Sequence, residues 1–477
     1  MIVPEGTANF NQLEKNIFRF VCELGRRLLK DTLERYDREL CESRDKTVYR
    51  YKEARKTTIK TVMGESEYWR IMYKVVGEDG QTQYVYLLDE AMGISGSGFF
   101  SGLLSEQIAQ AACEAPYRSA ARSVSELTGQ TISHTAAWSV VQQLGNGIDI
   151  VEQQAAQAAA EACGTGTLET PVLFEEQDGI WLKLQGKDRK AHGSIKEMKV
   201  GIAYDGAEKV GKKRYRLTNK VACANFENAE KFKKRKEGVI AGTYNTDEIN
   251  VRLLNGDGAE WIKPDPDDET IHFQLDQFHR NEALRKWVKD EEKRELMVEL
   301  LYTKQIDSLL GCIEGYINCL DDTVEEEAAE KENLEKLYTY FFNNKDGLIP
   351  WHRRGLDIPK PPEGKEYRRM GCMESNIFTI VGNRMKGHRT LWSIKGGNNL
   401  ARLLCLKHTG KLTDTLENLS SVCLPLEYVE EVIVKMTAAK APKSDGKGYE
   451  PVHGGAFPAF PEYKWLRDIG RTGGFTI

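Results

Sequence analysis

The stretch TPVLFEEQDGIWLKLQG, residues 170–186, decides how the chain is read. Apolar and β-branched residues flank Asp178-Gly179, a pairing that predicts strand, tight turn, strand. Outward from it, IKEMKVGIAYD predicts a third strand over 195–204, and RYRLTNKVACANF (214–226) a fourth element. A basic run from Lys231 to Lys236 opens a helix. INVRLLNGDGAEWIK gives a further strand ending in Gly256-Asp257-Gly258, and IHFQLDQFHR enters a helix from a strand. Strands interleaved with helices predict an α/β domain.

Beyond residue 280 the texture changes. Leu284, Trp287, Leu296, Leu300, Leu301, Leu310, Ile313, Ile317, Leu334, Leu337 and Phe341 recur at helical spacing without proline, so 281–345 is expected to be an all-helical block without strands. A Pro-rich connector (347–371) leads to a helix starting near Glu374. On the other side, Pro116–Leu127 and Ile132–Leu144 predict two helices joined by a turn at Thr128-Gly129-Gln130, with Ser133 as N-cap. That outline fits a helix-turn-helix presenting Ser133, His134, Ala137 and Gln142 to a major groove, and equally an ordinary helical hairpin. Residues 1–40 predict an amphipathic helix, and TTIKTVMGESEYWRIMYK a β-hairpin around Gly64. Between them Arg44, Lys46, Arg50, Lys52, Arg55, Lys56 and Lys60 face only Asp45 and Glu53; the run reads as a solvated surface or a phosphate contact.

Composition narrows the class. The 477 residues carry 67 Lys and Arg against 72 Asp and Glu, a net charge of −5, with 40% hydrophobic residues. Such a chain is neither disordered nor uniformly basic, though local basic patches remain open to it. No apolar run reaches the roughly 20 residues a membrane span needs, and no secretory signal opens the chain. A soluble cytoplasmic protein without membrane contact is expected. Ten cysteines include no C-x-x-C pair, which argues against a zinc ribbon or redox dithiol.

Three carboxylates stand where chemistry could gather: Asp178 after an apolar run, Asp257 between two glycines, Glu374 at a helix start. Acidic residues so placed can surround two divalent cations about 3.5–4 Å apart, which clamp the oxygens of a phosphodiester. Taken singly, each also reads as a turn residue or a helix-dipole partner.

Together, FEEQDGIWLKLQG, LLNGDGAEWI, LDQFHRNEAL and MESNIFTIVGNRM…LWSIKGGNNLARL resemble the DDE transposases of bacterial insertion sequences, in their Mutator-like branch. Within it they are most similar to a long-uncharacterised, ISLre-type family of low-GC Gram-positive bacteria. The likeness spans roughly residues 40–410. It implies an RNase H-like catalytic core with an all-helical insertion, preceded by an N-terminal DNA-binding region with helix-turn-helix. By the same resemblance Asp178, Asp257 and Glu374 are the catalytic, metal-holding triad, with two Mg²⁺ that Mn²⁺ can replace. Asp276, His279, Arg384 and Trp392 would shape the site or position DNA. Glu176 shares a strand face with Asp178 and could also look into the site.

The layout expected is an N-terminal helix, basic segment and hairpin (1–95), a helix-turn-helix region (96–163), the core in two parts (164–280 and 346–436) around the insertion (281–345), and a Gly/Pro-rich tail (437–477). The implied activity is binding of terminal inverted repeats, cleavage at the element's ends and joining of the 3′-OH to target double-stranded DNA. A homodimer or higher oligomer would do this at the bacterial nucleoid. A DNA-binding protein that no longer cuts, or a nuclease without strand transfer, remains the alternative.

Overall fold

A computed structural model describes residues 9–77, 80–93, 100–264, 270–321, 323–387 and 389–421. Helix α1 (Phe10–Ser43) starts at Asn9, whose side chain accepts from the Gln12 amide. Its apolar stripe divides. Leu33 and Asp37 are buried, whereas Phe10, Leu13, Ile17, Phe18, Val21, Leu24 and Leu28 all stay exposed. The hairpin forms as expected: β1 (Arg50–Thr61) pairs with β2 (Gly64–Val76), and Gly64 takes the positive φ that the tight connection requires. β3 (Thr82–Val85) covers only the end of β2. Along the rest of that edge α1 supplies acceptors: Glu34 takes the Trp69 amide at 2.9 Å and Asp37 the Ile71 amide at 2.8 Å. Backbone donors that an open edge would expose are thereby satisfied. α2 (Leu87–Ala91) closes this unit, with Leu88 buried beside Leu33 and Tyr68.

Three helices follow, α3 (Gly102–Glu114), α4 (Tyr117–Thr128) and α5 (His134–Ala160). Gly129 ends α4 in the left-handed conformation, and Ser133 caps α5 by accepting from the Ala136 amide at 3.0 Å. Ser133 and His134 are exposed, but Ala137 and Gln142 are buried and face the core rather than a groove. α5 also continues well past Leu144. Gly145 passes so close to Asn399 that a Cβ there would lie 2.4 Å from the Asn399 Cβ. The second helix of the pair is thus a strut running into the main core.

That core is a five-stranded sheet. β4 (Val172–Lys183) is followed by α6 (Gly186–His192), β5 (Ile195–Tyr204), β6 (Ala207–Gly211), β7 (Arg214–Leu217), β8 (Val221–Asn225), α7 (Ala229–Ala241), β9 (Val251–Gly256) and β10 (Ile271–Leu275). The sheet order is β10-β9-β4-β5-β8. β4, β5 and β8 run antiparallel in turn, while β9 and β10 are parallel to β4. The third strand lies where the sequence places it; two other expectations fail. No turn occurs at Asp178-Gly179: β4 is one continuous strand, paired with β5 from Phe174 opposite Tyr204 to Lys183 opposite Ile195. Gly179 serves a different need, because a Cβ there would meet the Glu197 carboxylate at 2.1 Å. The element over 214–226 is two strands broken at Asn219, a positive-φ residue, so that β7 leaves the sheet to form a separate ribbon with β6.

Alternation along β4 assigns its two faces. Val172, Phe174, Ile180 and Leu182 join Met198, Val200 and Ile202 in the main cluster. Leu173 packs on the other face with Ile240 of α7, where Glu175 is also buried. There Glu175 meets Lys236 at 2.5 Å and Arg252 at 2.6 Å. Burial alone would raise its pKa, but the two cations outweigh it and hold the carboxyl at about 2. Arg235 is similarly committed to Glu227 and Asp149. Arg235 and Lys236, two of the five cations in the 231–236 run, therefore pair with acidic side chains of this protein instead of standing free on the surface.

Residues 277–343 form α8 (Gln277–Trp287), α9 (Glu291–Tyr302), α10 (Ile306–Asn318) and α11 (Glu325–Asn343), with no strand among the described residues. Leu284, Leu301, Leu309, Ile313, Leu334, Leu337 and Phe341 make a separate apolar cluster. The chain then returns to the sheet through α12 (Met373–Ile377), a π turn (Phe378–Gly382), α13 (Asn383–Met385) and α14 (Ile394–His408), ending in α15 (Leu412–Ser421). Met373, Ile377, Ile380 and Leu400 belong to the main cluster. The tail expected over 437–477 lies outside the described residues. Among the described residues no helix is long and apolar enough to cross a membrane.

Candidate functional site

Parallel pairing sets Glu176 opposite Asn255, and Gly256 opposite Leu275. Continued by the chain, that register releases Asp178, Asp257 and Asp276 at one level from three adjoining strands. Asp178 and Asp257 are half-buried. Burial raises the pKa of Asp257, and the neighbouring Asp178 charge adds to the rise. Glu197 on β5 is pushed up by burial and by both aspartates, against the pull of Lys199. Asp257 and Glu197 therefore both lie in the field of the Asp178 charge, which disfavours their ionisation.

Asp276 does not join them. It is buried and caps α8, accepting from the Phe278 amide at 2.8 Å and the His279 amide at 3.3 Å, while Asn255 Nδ2 donates to its other oxygen at 2.8 Å. This capping fixes the first turn of α8. His279 Nε2 comes to lie 3.7 Å from Asp178 Oδ2. The Asp178 carboxylate raises the imidazole pKa to about 9 despite partial burial. Asp276 is a positioning residue here, and His279 is the cation that faces the acidic cluster.

Glu176 is equally removed from the cluster. Fully buried, it accepts from Tyr204 Oη at 2.7 Å, Asn255 Nδ2 at 3.3 Å, and the amides of Gly371 and Cys372 at 2.9 and 3.0 Å. These bonds strap the connector before α12 to β4, two residues from Asp178. Glu374 sits in the first turn of α12 and is exposed. Among the described residues no three His, Cys, Asp or Glu side chains form a group able to hold a metal ion. Electrostatic interactions tie Asp178, Asp257, Glu197 and His279 together, and Glu374 is carried by a helix whose root is tethered to the same strand. In kind the donors, hard carboxylate oxygens, are those a divalent cation takes, but among the described residues they do not converge into a metal-holding group.

Arg384 and Trp392 are both buried. Arg384 donates to the Ala112 carbonyl at 2.7 Å, binding α13 to α3. Trp392 donates through its indole to the Met385 carbonyl, and its backbone amide bonds the Lys183 carbonyl at the end of β4. Neither offers a surface to DNA; both hold the strand and helices that carry the acidic residues. In the basic segment, Lys46, Arg50 and Lys52 are exposed, with Lys52 over the Tyr84 ring at 3.8 Å. Arg55 pairs with Glu53 and Lys56 with Glu67. Arg44 donates to the Tyr49 carbonyl, and Lys60 to the Thr131 carbonyl in the turn between α4 and α5.

Sequence reasoning missed Glu197. Its only signal is period two: Glu197 and Lys199 are charged residues on one face of a strand otherwise apolar at its far end.

A curated relative from Streptococcus gallolyticus, described as a UPF0236 protein in the vanSb 3′ region, is 24% identical over 427 residues, covering 84% of each chain. The model of an uncharacterised protein family, UPF0236, matches residues 4–418. With nearly the whole described chain inside that match, this protein belongs to the UPF0236 family.

Proposed function

We propose that this protein is a DNA transposase that cuts phosphodiester bonds at the ends of its own element and joins the freed 3′-OH to target DNA. The observation that carries the reading is the meeting of Asp178, within β4, and Asp257, just past the end of the parallel strand β9, in one half-buried acidic cluster faced by His279. The sheet order, three antiparallel strands extended by two parallel ones, supports an RNase H-like core. The helical block inserted between Asp257 and Glu374 supports the same reading, as does the family likeness in the motifs. Two helices joined across Gly129 support a helix-turn-helix, presented through Ser133 and His134.

In this reading Asp178 and Asp257 would hold a pair of Mg²⁺ ions, with Glu374 completing the set from α12. Such ions, when bound, polarise the scissile phosphate and lower the pKa of an attacking water. The chain's own residues do the rest. Asp276 orients α8, His279 steadies Asp178, and Glu176 keeps the root of α12 against β4. The exposed stripe of α1 recurs at three- and four-residue steps from Leu13 to Leu28, the spacing of a coiled-coil seam. It supports self-association, which joining two ends would require.

The test uses duplex DNA carrying the inverted repeats that flank the gene, with Mg²⁺ and a target plasmid. The full chain should cut and join, while Asp178→Asn, Asp257→Asn and Glu374→Gln should bind the ends with unchanged Kd and not cut. Because no three acidic or histidine side chains among the described residues form a metal-holding group, one second reading is favoured: an end-binding protein that does not cut. Wild-type binding without cleavage would establish it. Absence of any preference for the ends would refute both.

A further inference from the structure

On another side of α12 lies a cleft of about 840 Å³. The end of β5, the β6–β7 ribbon, the connector before α12 and the turn after α14 form its walls. Arg216, Lys220, Arg368, Arg369, His408 and Lys411 line it, and among the described residues no aspartate or glutamate does. On a chain of net charge −5 this is a marked local excess of cations.

Two of these cations lie deep. Lys220 is half-buried and donates to Asn376 Oδ1 at 3.0 Å; Lys411 is half-buried and donates to Thr243 Oγ1 at 2.8 Å. Among the described residues neither makes an ion pair with a carboxylate, so each ammonium, with three donors to place, faces a neutral acceptor. Burial pulls both pKa values down. Charges withdrawn from water without a counter-ion are costly, and an anion in the cleft would offset that cost. At the rim the arginines remain in solvent. Arg216 meets Glu208, and Arg368 lies over the Tyr215 ring at 3.5 Å and pairs with Glu366 at 3.6 Å. Since Arg368 already covers that ring, the cleft offers charge rather than a free aromatic face for a base.

We propose that this cleft binds the phosphate groups of a nucleic-acid strand, gripping the backbone without reading sequence. It is separate from the acidic cluster, and its binding does not depend on any cleavage there. A free nucleotide carries the same phosphate chemistry, so the experiment must separate the two sources.

The full chain is titrated by fluorescence anisotropy with a labelled single-stranded 20-mer unrelated to any element end, over a range of salt. Lys220→Met with Lys411→Met should weaken binding at least tenfold and reduce the log–log salt slope by about 1.4, from about 0.7 per phosphate contact. Lys289→Gln with Lys336→Gln, a surface change of equal charge, should alter Kd less than twofold. If the half-buried pair cannot be replaced without unfolding, Arg368→Gln with Arg369→Gln at the exposed rim provides the same test. Unchanged affinity and slope in whichever cleft variant folds would overturn the proposal. Displacement of the 20-mer by AMP at equal phosphate concentration would overturn the polynucleotide assignment in favour of a free nucleotide.

Discussion

Replacing Glu176 with glutamine should loosen the root of α12 while leaving the sheet assembled. The carboxylate accepts four hydrogen bonds from nitrogen and oxygen donors between 2.7 and 3.3 Å, with the Cys372 thiol a fifth donor at 2.9 Å. Bonds to an ionised acceptor contribute about 1.5–3 kcal/mol each and neutral ones about 0.5–1.5. Removing the charge therefore weakens the three shortest nitrogen and oxygen contacts by about 1 kcal/mol apiece. A buried amide costs less to desolvate than a carboxylate, which returns part of that loss. The net destabilisation expected is about 2 kcal/mol. Glutamine can still accept from the Gly371 and Cys372 amides if its NH₂ turns to Tyr204 Oη, which can itself accept. Alanine cannot, and stranding buried donors at about 1–3 kcal/mol each raises the loss to about 5 kcal/mol. Urea unfolding followed by tryptophan fluorescence measures both, since Trp351 packs edge-on against Phe174 of β4. Hydrogen–deuterium exchange over 371–377 reports the local effect, and protection there should fall more than in β5. A Glu176→Gln variant with wild-type stability and unchanged exchange in 371–377 would refute the view that this side chain holds Glu374's helix in place.

Three further outcomes are expected. Asp37, whose pKa burial raises from 3.8 to about 6 against the Ile71 amide and Arg70, binds its proton more tightly folded than unfolded. Its stabilising contribution is present below about pH 4 and lost as pH rises through about 6. A shift of that size corresponds to roughly 3 kcal/mol. Asp37→Asn should thus raise thermal stability at pH 7.5 and flatten the decline between pH 4 and 7; an unchanged pH profile would contradict this. Ile17→Asp with Leu24→Asp, placed in the exposed stripe of α1, should convert a dimer to a monomer in sedimentation experiments, and a monomeric wild type would remove the stripe's assigned role. On β1, Arg50→Gln with Lys52→Gln should lower the salt slope of duplex binding by about 1.8, at about 0.9 per phosphate. Arg55→Gln with Lys56→Gln should lower it less, because those cations are already paired with Glu53 and Glu67; equal slopes would place the contact elsewhere.

Local pattern sufficed for much of this molecule. Period two marked β5 over 195–204 and period 3.6 marked the helices between 277 and 343, because each is a property of a few neighbouring side chains. The cap at Ser133 and the hairpin at Gly64 were legible for the same reason: both are decided within four residues. So were the positions of Asp257 at a strand end and of Glu374 at a helix start. What sequence could not decide depends on partners distant in the chain. Asp178-Gly179 has the residues of a tight turn, but pairing with β5 and β9 on either side keeps it extended. Lys236 belongs to a basic run, but its partner is Glu175, sixty-one positions away. Glu197 became part of the acidic cluster only when β5 laid it beside Gly179, and His279 only when Asp276 capped α8 at the level of Asp178. Periodicity states which face a side chain occupies; the charges that share that face are chosen by strand order and register, which the whole chain settles together.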